Sequence, residues 1–400
     1  MIPVVNPLIK KGKTKQFLEA QLQSIPSVPL EKNGLRYWFH CASLGEFEQA
    51  RPLMESLKNK DASNSIVVTF FSPSGFQQRH NYALADKVIY LPLDSPSSAD
   101  KVINYLQADV AIFVKYEIWY FYLKALFRKN IPVFLISAVF REKQFLFTLF
   151  GKFLFKLLPQ YSGIFVQDKN TFNLLKSKGL ENVFLSGDTR YDRVKQLSLL
   201  AQENEKIAQF KGNKQLIILG SSWPEEERIL HAFYLKNPNH EFKFLIVPHD
   251  VSEGHITEVL NRFSAYNPQL YTDGIGTESN VMVLNTIGHL ASAYLYADFA
   301  FIGGAFGKGL HNILEALSYG VPLVFGPNTE KYPEADLAIK AGVSLRINNV
   351  TDFENALAHY LKSNEIQLHR LACKSFIEEN SGATDMVLKS IENKLILQKK

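Results

Sequence analysis

Cysteine is nearly absent from this chain. Its two residues, Cys41 and Cys373, lie far apart and show no C-x-x-C or Cys/His spacing. Structural zinc and a disulfide framework are therefore not expected, and a reducing compartment fits. No run of ~18 apolar residues that could span a bilayer occurs, and the first residues lack a signal-peptide pattern. No long Lys/Arg stripe accompanies the mild net charge of +5, which argues against a nucleic-acid partner. Neither a Walker A loop nor the GxGxxG fingerprint is found, and the missing glycine fingerprint disfavours a dehydrogenase.

Apolar residues are plentiful. At 46% apolar and 21% charged the chain is globular, and 400 residues are too many for one ordinary core, so two domains are expected. Phenylalanine is in excess, with 30 residues, many between Phe113 and Phe165. The densest segment, FREKQFLFTLFGKFLFKLL (Phe140 to Leu158), is predicted as a helix with Leu146, Phe150, Phe153, Leu154 and Leu157 on one stripe. Lys152 and Lys156 share the opposite side, and Phe147, Phe145 and Phe155 add further aromatic bulk. Such a helix suits either an interfacial, acyl-chain-binding surface or a core helix with thick flanks. The basic cluster KKGKTK (Lys10 to Lys15) suits anionic lipid or a solvated terminus.

From Tyr37 onward short apolar runs alternate with helical patterns. The expected strands are Tyr37–His40, Ile66–Phe71, Val88–Leu91, Val110–Val114, Val133–Ser137, Gly163–Gln167 and Val183–Ser186. After a polar stretch from Val194 to Asn213 the alternation restarts with Leu216–Leu219, Lys243–Val247, Val281–Leu284, Phe299–Ile302, Leu323–Phe325 and Ser344–Ile347. Alternating strands and helices give parallel sheets covered on both faces. The fold class is α/β, as two Rossmann-like domains, residues 1–200 and 201–400, facing a cleft. The last helix is a candidate to pack back on the first domain. Ligands of such sheets sit at the carboxyl ends of the strands.

Three strand-to-helix turns stand out. In WFHCASLGEFEQARPLM (Trp38 to Met54), Glu46 follows Gly45 where a strand gives way to a helix, and Ser43-x-x-Glu46 fits a capping box. LGSSWPEEE (Leu219 to Glu227) offers Ser221 and Ser222, and Ser222-x-x-Glu225 fits a second box. FIGGAFGKGLHNILEALSYGVPLVFGP (Phe301 to Pro327) runs from a strand through Gly303, Gly304, Gly307 and Gly309 into a predicted helix carrying His311, Asn312 and Glu315. Glycines at a helix start let backbone N–H groups approach an anion. This turn reads as a site for a nucleotide's phosphate and sugar hydroxyls, with Glu315 accepting from a ribose diol or else paired locally.

Together these segments resemble the 3-deoxy-D-manno-octulosonic acid (Kdo) transferases of lipopolysaccharide synthesis, glycosyltransferases of the GT-B fold. FHCASLGEFEQARPLM looks like the family's acceptor-side motif and VKYEIW (Val114 to Trp119) like its second acidic motif. LGSSWPEEE, NTIGHLASAYLYADFAFIGGAFGKGLHNILEAL and GVPLVFGPNTEKYPEA look like its donor-side series. The resemblance implies inverting transfer of Kdo from CMP-Kdo to a lipid A precursor at the cytoplasmic face of the inner membrane. It implies Glu46 as the essential acid and Glu117 as the second. Ser221, Ser222, His249, Gly303, Gly304, Gly307, Lys308, Asn312 and Glu315 fall on the donor side. Gly45, Arg51, Lys115, Phe147, Phe150, Lys152, Phe153 and Lys156 fall on the acceptor and membrane side. Arg51, Lys115 and His249 are candidates to face Kdo's carboxylate. No cofactor beyond the donor and no metal are expected, because no D-x-D cluster is present.

The sequence departs from the family in three places. Many members begin with a hydrophobic anchor, and MIPVVNPLIKKGK holds none, so either an anchor has been removed or docking relies on the Phe-rich surface. Tyr120 replaces the proline that often follows the tryptophan, and His249 stands in VPHD where a basic arginine is expected. The alternatives are another GT-B enzyme using a UDP-sugar, a transferase or a 2-epimerase, and a non-catalytic protein binding nucleotide sugar or lipid.

Overall fold

In the computed structural model, residues 25–398 are described apart from 27, 274–278 and 363. The described residues form two compact units, those up to Arg193 together with those from Ser381 onward, and those from Val194 to Asn380. The division falls inside the helix Thr189–Leu199 rather than at residue 200. The basic cluster Lys10 to Lys15 lies outside the described residues.

The first unit holds seven parallel strands: β1 (Arg36–Cys41), β2 (Ser65–Phe70), β3 (Lys87–Tyr90), β4 (Val110–Val114), β5 (Val133–Ala138), β6 (Gly163–Val166) and β7 (Val183–Leu185), in the order β3-β2-β1-β4-β5-β6-β7. All six residues of β1 are buried, as a strand covered on both faces requires. Its alternation sends Trp38 to one core with Val67, Ala111 and Phe113, and Tyr37 and Phe39 to the other with Phe47, Leu53 and Phe134. Val387 and Ile391, from the last helix Ala383–Gln398, complete the second core.

The second unit repeats the pattern with β8 (Leu216–Ser222), β9 (Lys243–Pro248), β10 (Gln269–Leu270), β11 (Val281–Val283), β12 (Phe299–Ile302), β13 (Leu323–Phe325) and β14 (Ser344–Arg346), in the order β10-β11-β9-β8-β12-β13-β14. In both sheets the first strand lies in the interior and the chain fills one side of it before the other, with β11 returning between β9 and β10 in the second sheet. The reversal falls between β1 and β4 in one unit and between β8 and β12 in the other. At such switch points the turns leaving adjacent strands diverge and open a crevice.

The Phe-rich segment is not one helix. It breaks into 3-10 turns at Phe145–Phe147, Leu149–Gly151 and Leu158–Gln160 around a single α-turn, Lys152–Phe155. The Thr148 hydroxyl takes the Gly151 N–H, a local bond that competes with the helical ladder. A Cβ on Gly151 would lie 1.9 Å from the Phe145 carbonyl oxygen, and Pro159 forbids continuation. Leu146, Leu154 and Leu157 reach the core, with Phe147, Phe153 and Phe155 packed on it. Phe150 instead stands 79% exposed beside Leu149 at 73%. The expected stripe is therefore split, with its aromatic tip in solvent and two exposed lysines, Lys152 and Lys156, following it in the chain.

Candidate functional site

In the first unit the acidic residues meet at the switch point. Glu46 sits in the first turn of the helix Leu44–Lys60, just after β1, and Glu117 in the turn after β4. Glu46 is only 5% exposed. Its Oε2 accepts the Ala42 N–H. The Ser43 amide also bonds to this carboxylate, whereas the Ser43 side chain makes no capping bond. The expected box is thus half present. Burial and then the charge of Glu117 push the Glu46 carboxyl up to about 8, against the opposing pull of Lys115 and the two amides.

The turn bearing Glu117 is held on several sides. Its Oε2 accepts the Trp119 Nε1–H at 2.8 Å, and His40 Nε2 lies 3.8 Å from the same oxygen. Asp94, in the loop after β3, takes the Phe121 and Tyr122 N–H groups at 3.0 and 3.2 Å, capping the helix Tyr120–Arg128 from outside. Lys115 turns the chain at the end of β4 with φ of 62°. A non-glycine residue in that region costs about 1–3 kcal/mol and is characteristic of functional turns.

The structure brings Glu46, Glu117 and Lys115 together, but not Arg51. Five residues along a helix is a rotation of about 140° from Glu46, and Arg51 pairs there with Glu55 at 2.7 Å and Glu48 at 3.8 Å. Gly45 is exposed, and a Cβ there would meet nothing within 4 Å. Sequence reasoning missed His40, Thr69 and Asp94 as parts of the site. His40 and Thr69 are buried strand residues, and Asp94 lies in a loop that carried no motif.

The second unit places its candidates at the matching position between β8 and β12. Ser221 has φ of 51°, and Ser222 is fully buried, donating to Glu227 Oε1 at 3.0 Å. The helix Pro224–Lys236 is capped one residue later than expected. Trp223, not Ser222, precedes it, and Glu226 rather than Glu225 takes the capping N–H, at 3.0 Å. Glu226 also accepts the Gly304 N–H at 2.8 Å, joining the two turns. Burial raises its pKa, against the pull of these amides.

The glycine turn works differently from the sequence expectation. Gly303 N–H bonds to the Gly220 carbonyl at 2.9 Å and Gly307 N–H to that of Gly304 at 3.2 Å, so with Glu226 on Gly304 these amides are used within the turn. The helix begins at Leu314, leaving His311 and Asn312 in the loop before it and Glu315 in its first turn. Asn312 Nδ2 donates to Glu315 Oε1 at 3.0 Å, the local pairing foreseen as the alternative for Glu315.

Aromatic faces fill the same crevice. His249 stacks on Trp223 with centroids 4.7 Å apart, and His311 lies 4.6 Å from His249. Burial and the nearby His249 push His311 down to about 4, so it is neutral and accepts the Trp223 Nε1–H at 3.2 Å. Lys308 Nζ lies 5.2 Å from the centre of the Trp223 ring. Trp223, Glu225, Glu226, Gly304, Phe306, Gly307 and Lys308 line a recess of about 160 Å³. Trp223 and Glu226 were hidden in the run WPEEE, where nothing marks which acid turns inward.

The comparisons with known proteins agree with this layout. The family model described as 3-Deoxy-D-manno-octulosonic-acid transferase (kdotransferase) matches residues 13–193. The 3-deoxy-D-manno-octulosonic acid transferase of Haemophilus influenzae is 28% identical over 369 residues, covering 88% of this chain and 85% of that protein. The one from Aquifex aeolicus is 26% identical over 330 residues, covering 81% and 85%. Among solved structures, UDP-GlcNAc 2-epimerase from Neisseria meningitidis has a TM-score of 0.63 at 16% identity, covering 90% of this chain and all of the other. MurG of Acinetobacter baumannii has 0.54 at 14%, covering 90% and 100%. At such identity these likenesses speak for the fold alone. Two switch-point sheets of this kind give the chain an α/β fold of the GT-B class. Within that class, the chain is similar over most of its length to 3-deoxy-D-manno-octulosonic acid transferases, the resemblance that the motif order carries.

Proposed function

We propose that this protein transfers Kdo from CMP-Kdo to a lipid A precursor, an acylated, bisphosphorylated glucosamine disaccharide, with inversion and no covalent intermediate. The observation that carries the reading is the buried Glu46 beside Glu117 at the switch point of the unit that matches the family model. Inverting transfer needs a base to take the acceptor hydroxyl's proton as that oxygen attacks the anomeric carbon. A carboxylate whose conjugate acid lies near 8 is a far stronger base than an ordinary one, and Glu117 keeps it so. Lys115 is the cation at the acids and our candidate to face Kdo's carboxylate. On the donor side Trp223 and His249 offer flat faces to the nucleotide, and Ser221, Asn312 and Glu315 offer polar groups. Because the glycine amides are engaged, Lys308 supplies the charge that meets the leaving CMP. The proposed reaction uses no metal.

The test is CMP release from CMP-Kdo with a tetraacylated lipid A precursor. Acceptor-dependent release supports the reading. Release that needs no acceptor, or stronger competition by UDP than by CMP, overturns it.

The pH profile gives a second check. The active form is the deprotonated base, so kcat/KM should rise with pH to a plateau just above about 8. Removing the neighbouring charge with Glu117→Gln lowers the Glu46 pKa, and the limb in the residual activity should move to lower pH. A limb that stays in place would detach Glu117 from Glu46.

We also propose that the protein works at the cytoplasmic face of the inner membrane. Among the described residues no helix is long and apolar enough to cross a membrane. The exposed Leu149 and Phe150, followed by the exposed Lys152 and Lys156, support docking through this surface. Phe150→Asp should weaken sedimentation with phosphatidylethanolamine–phosphatidylglycerol vesicles roughly tenfold or more, and leave the thermal midpoint nearly unchanged because the side chain is exposed.

A further inference from the structure

His40 lies at the end of β1, fully buried, and its Nε2 has no hydrogen-bond partner among the described residues. An unpaired polar atom this deep calls for a reason. The other ring nitrogen, Nδ1, is 2.9 Å from the Thr69 hydroxyl. That hydroxyl receives the Trp38 Nε1–H at 2.9 Å and has a single hydrogen of its own. Two acceptors compete for it, His40 Nδ1 at 2.9 Å and the Phe39 carbonyl at 3.4 Å. The nearer is Nδ1. A ring that accepts at Nδ1 carries its proton on Nε2, and Nε2 faces Glu117 Oε2 across 3.8 Å. Trp119 lies edge-on against the ring, with centroids 5.0 Å apart, and donates to the same oxygen.

We propose that His40 is a positioning residue for Glu117: the Thr69 hydroxyl fixes its tautomer, and its Nε2–H, with the Trp119 indole, holds the Glu117 carboxylate aimed at Glu46. This rests on the transfer reaction proposed above. The remaining titratable groups around the pair are Glu46 and Lys115, the Cys41 thiol, and the phenols of Tyr116 and Tyr161. Burial pushes that thiol and both phenols upward, with the charge of Glu117 adding to each, so they stay neutral through the working pH range. Charge at the site is then set by the two carboxylates, Lys115 and the imidazole. At 3.8 Å the His40–Glu117 contact is longer than a hydrogen bond, and a small rotation of the Glu117 side chain closes it.

Asparagine and glutamine separate the two nitrogens. His40→Asn keeps an amide near the Nδ1 position, beside Thr69, and leaves nothing at Nε2. His40→Gln places an amide N–H near the Nε2 position. With CMP release as the readout, His40→Asn should lower kcat about 10- to 100-fold with little change in KM, and His40→Gln should recover most of the loss. In His40→Asn the rising limb should also move to lower pH, because a Glu117 carboxylate no longer held towards Glu46 raises it less. Equal losses in both variants, or an unmoved limb, would overturn the proposal. Should the wild type release no CMP, the transferase reading fails, yet the tautomer can still be judged. In ¹⁵N-histidine spectra at pH 7, with the His40 signal identified by its absence from His40→Asn, protonation at Nε2 supports the assignment and protonation at Nδ1 rejects it.

Discussion

Glu46→Gln is expected to lower CMP release by roughly 10²- to 10⁴-fold, the contribution of a general base, while making the folded protein more stable at alkaline pH. The second half follows from the sign of the pKa shift. A free glutamate ionises near pH 4.3, whereas the folded Glu46 holds its proton to about 8. Between these values the folded state binds more protons than the unfolded one, so this group's contribution to stability falls as pH rises and levels off above 8. Glutamine does not ionise and escapes that penalty. It also keeps the acceptor for the Ala42 and Ser43 amides, since glutamine serves in the same position of a capping box. At pH 9 the variant should therefore gain on the order of 1–3 kcal/mol over wild type, with little difference near pH 4.5. Paired urea melts at pH 5 and pH 9, run beside the CMP-release assay, measure both halves. A residue that merely caps its helix would behave otherwise. Glu46→Gln would then be neutral in stability and activity, and Glu46→Ala would cost about 1 kcal/mol and spare activity. Inactivity combined with added stability marks a carboxylate held in place for chemistry at the expense of the fold.

The two demands on Glu46 were visible in SLGEFEQ, but their reconciliation was not. The amides of Ala42 and Ser43 hold the carboxylate, and their hydrogen bonds lower its pKa. Burial and Glu117 raise it further than the amides lower it. The cap fixes the side chain's position, and the neighbouring acid fixes its basicity. Spacing along a strand and a helix places Glu46 at a strand end. Only the parallel pairing of β1 with β4 brings Glu117 beside it.

The fold was legible because parallel strands buried on both faces appear as continuous apolar runs. β4, β12 and β13 were expected with their observed ends, and the missing strand, β10, is two half-buried residues long. The Phe-rich segment failed as a helix because hydrophobic spacing does not register Thr148 bonding to Gly151 or a glycine packed against a carbonyl. The proposed donor site was half legible. Glycine spacing located the turn, but whether its amides face a ligand depends on partners such as Glu226, seventy-eight positions away.

Those glycines support the second large effect, Gly303→Ala. A Cβ at Gly303 would lie 2.2 Å from the Ser221 carbonyl oxygen and 2.9 Å from its carbonyl carbon. Both atoms are backbone, so no rotamer change can relieve the contact, and Ser221 already occupies φ of 51°. Either the turn after β8 or the one after β12 must move. Movement of either stretches the Gly303 bond to Gly220 and pulls Gly304 from Glu226, leaving a buried acid without one of its donors. The expected cost is about 3–5 kcal/mol, in the range of backbone strain combined with a broken buried network. Because Trp223 and Lys308 ride on the same two turns, CMP affinity should fall at least tenfold even in the fraction that stays folded. Gly254→Ala is the matching control. Its Cβ meets nothing within 4 Å inside the helix Glu253–Arg262, so it should stabilise by about 0.4–1 kcal/mol and leave CMP binding unchanged. Thermal melts with calorimetric titration of CMP measure both variants. Equal behaviour would mean that the glycine at 303 is not needed for close approach, and that the turn after β12 binds its ligand by some means other than the packing of these two strand ends.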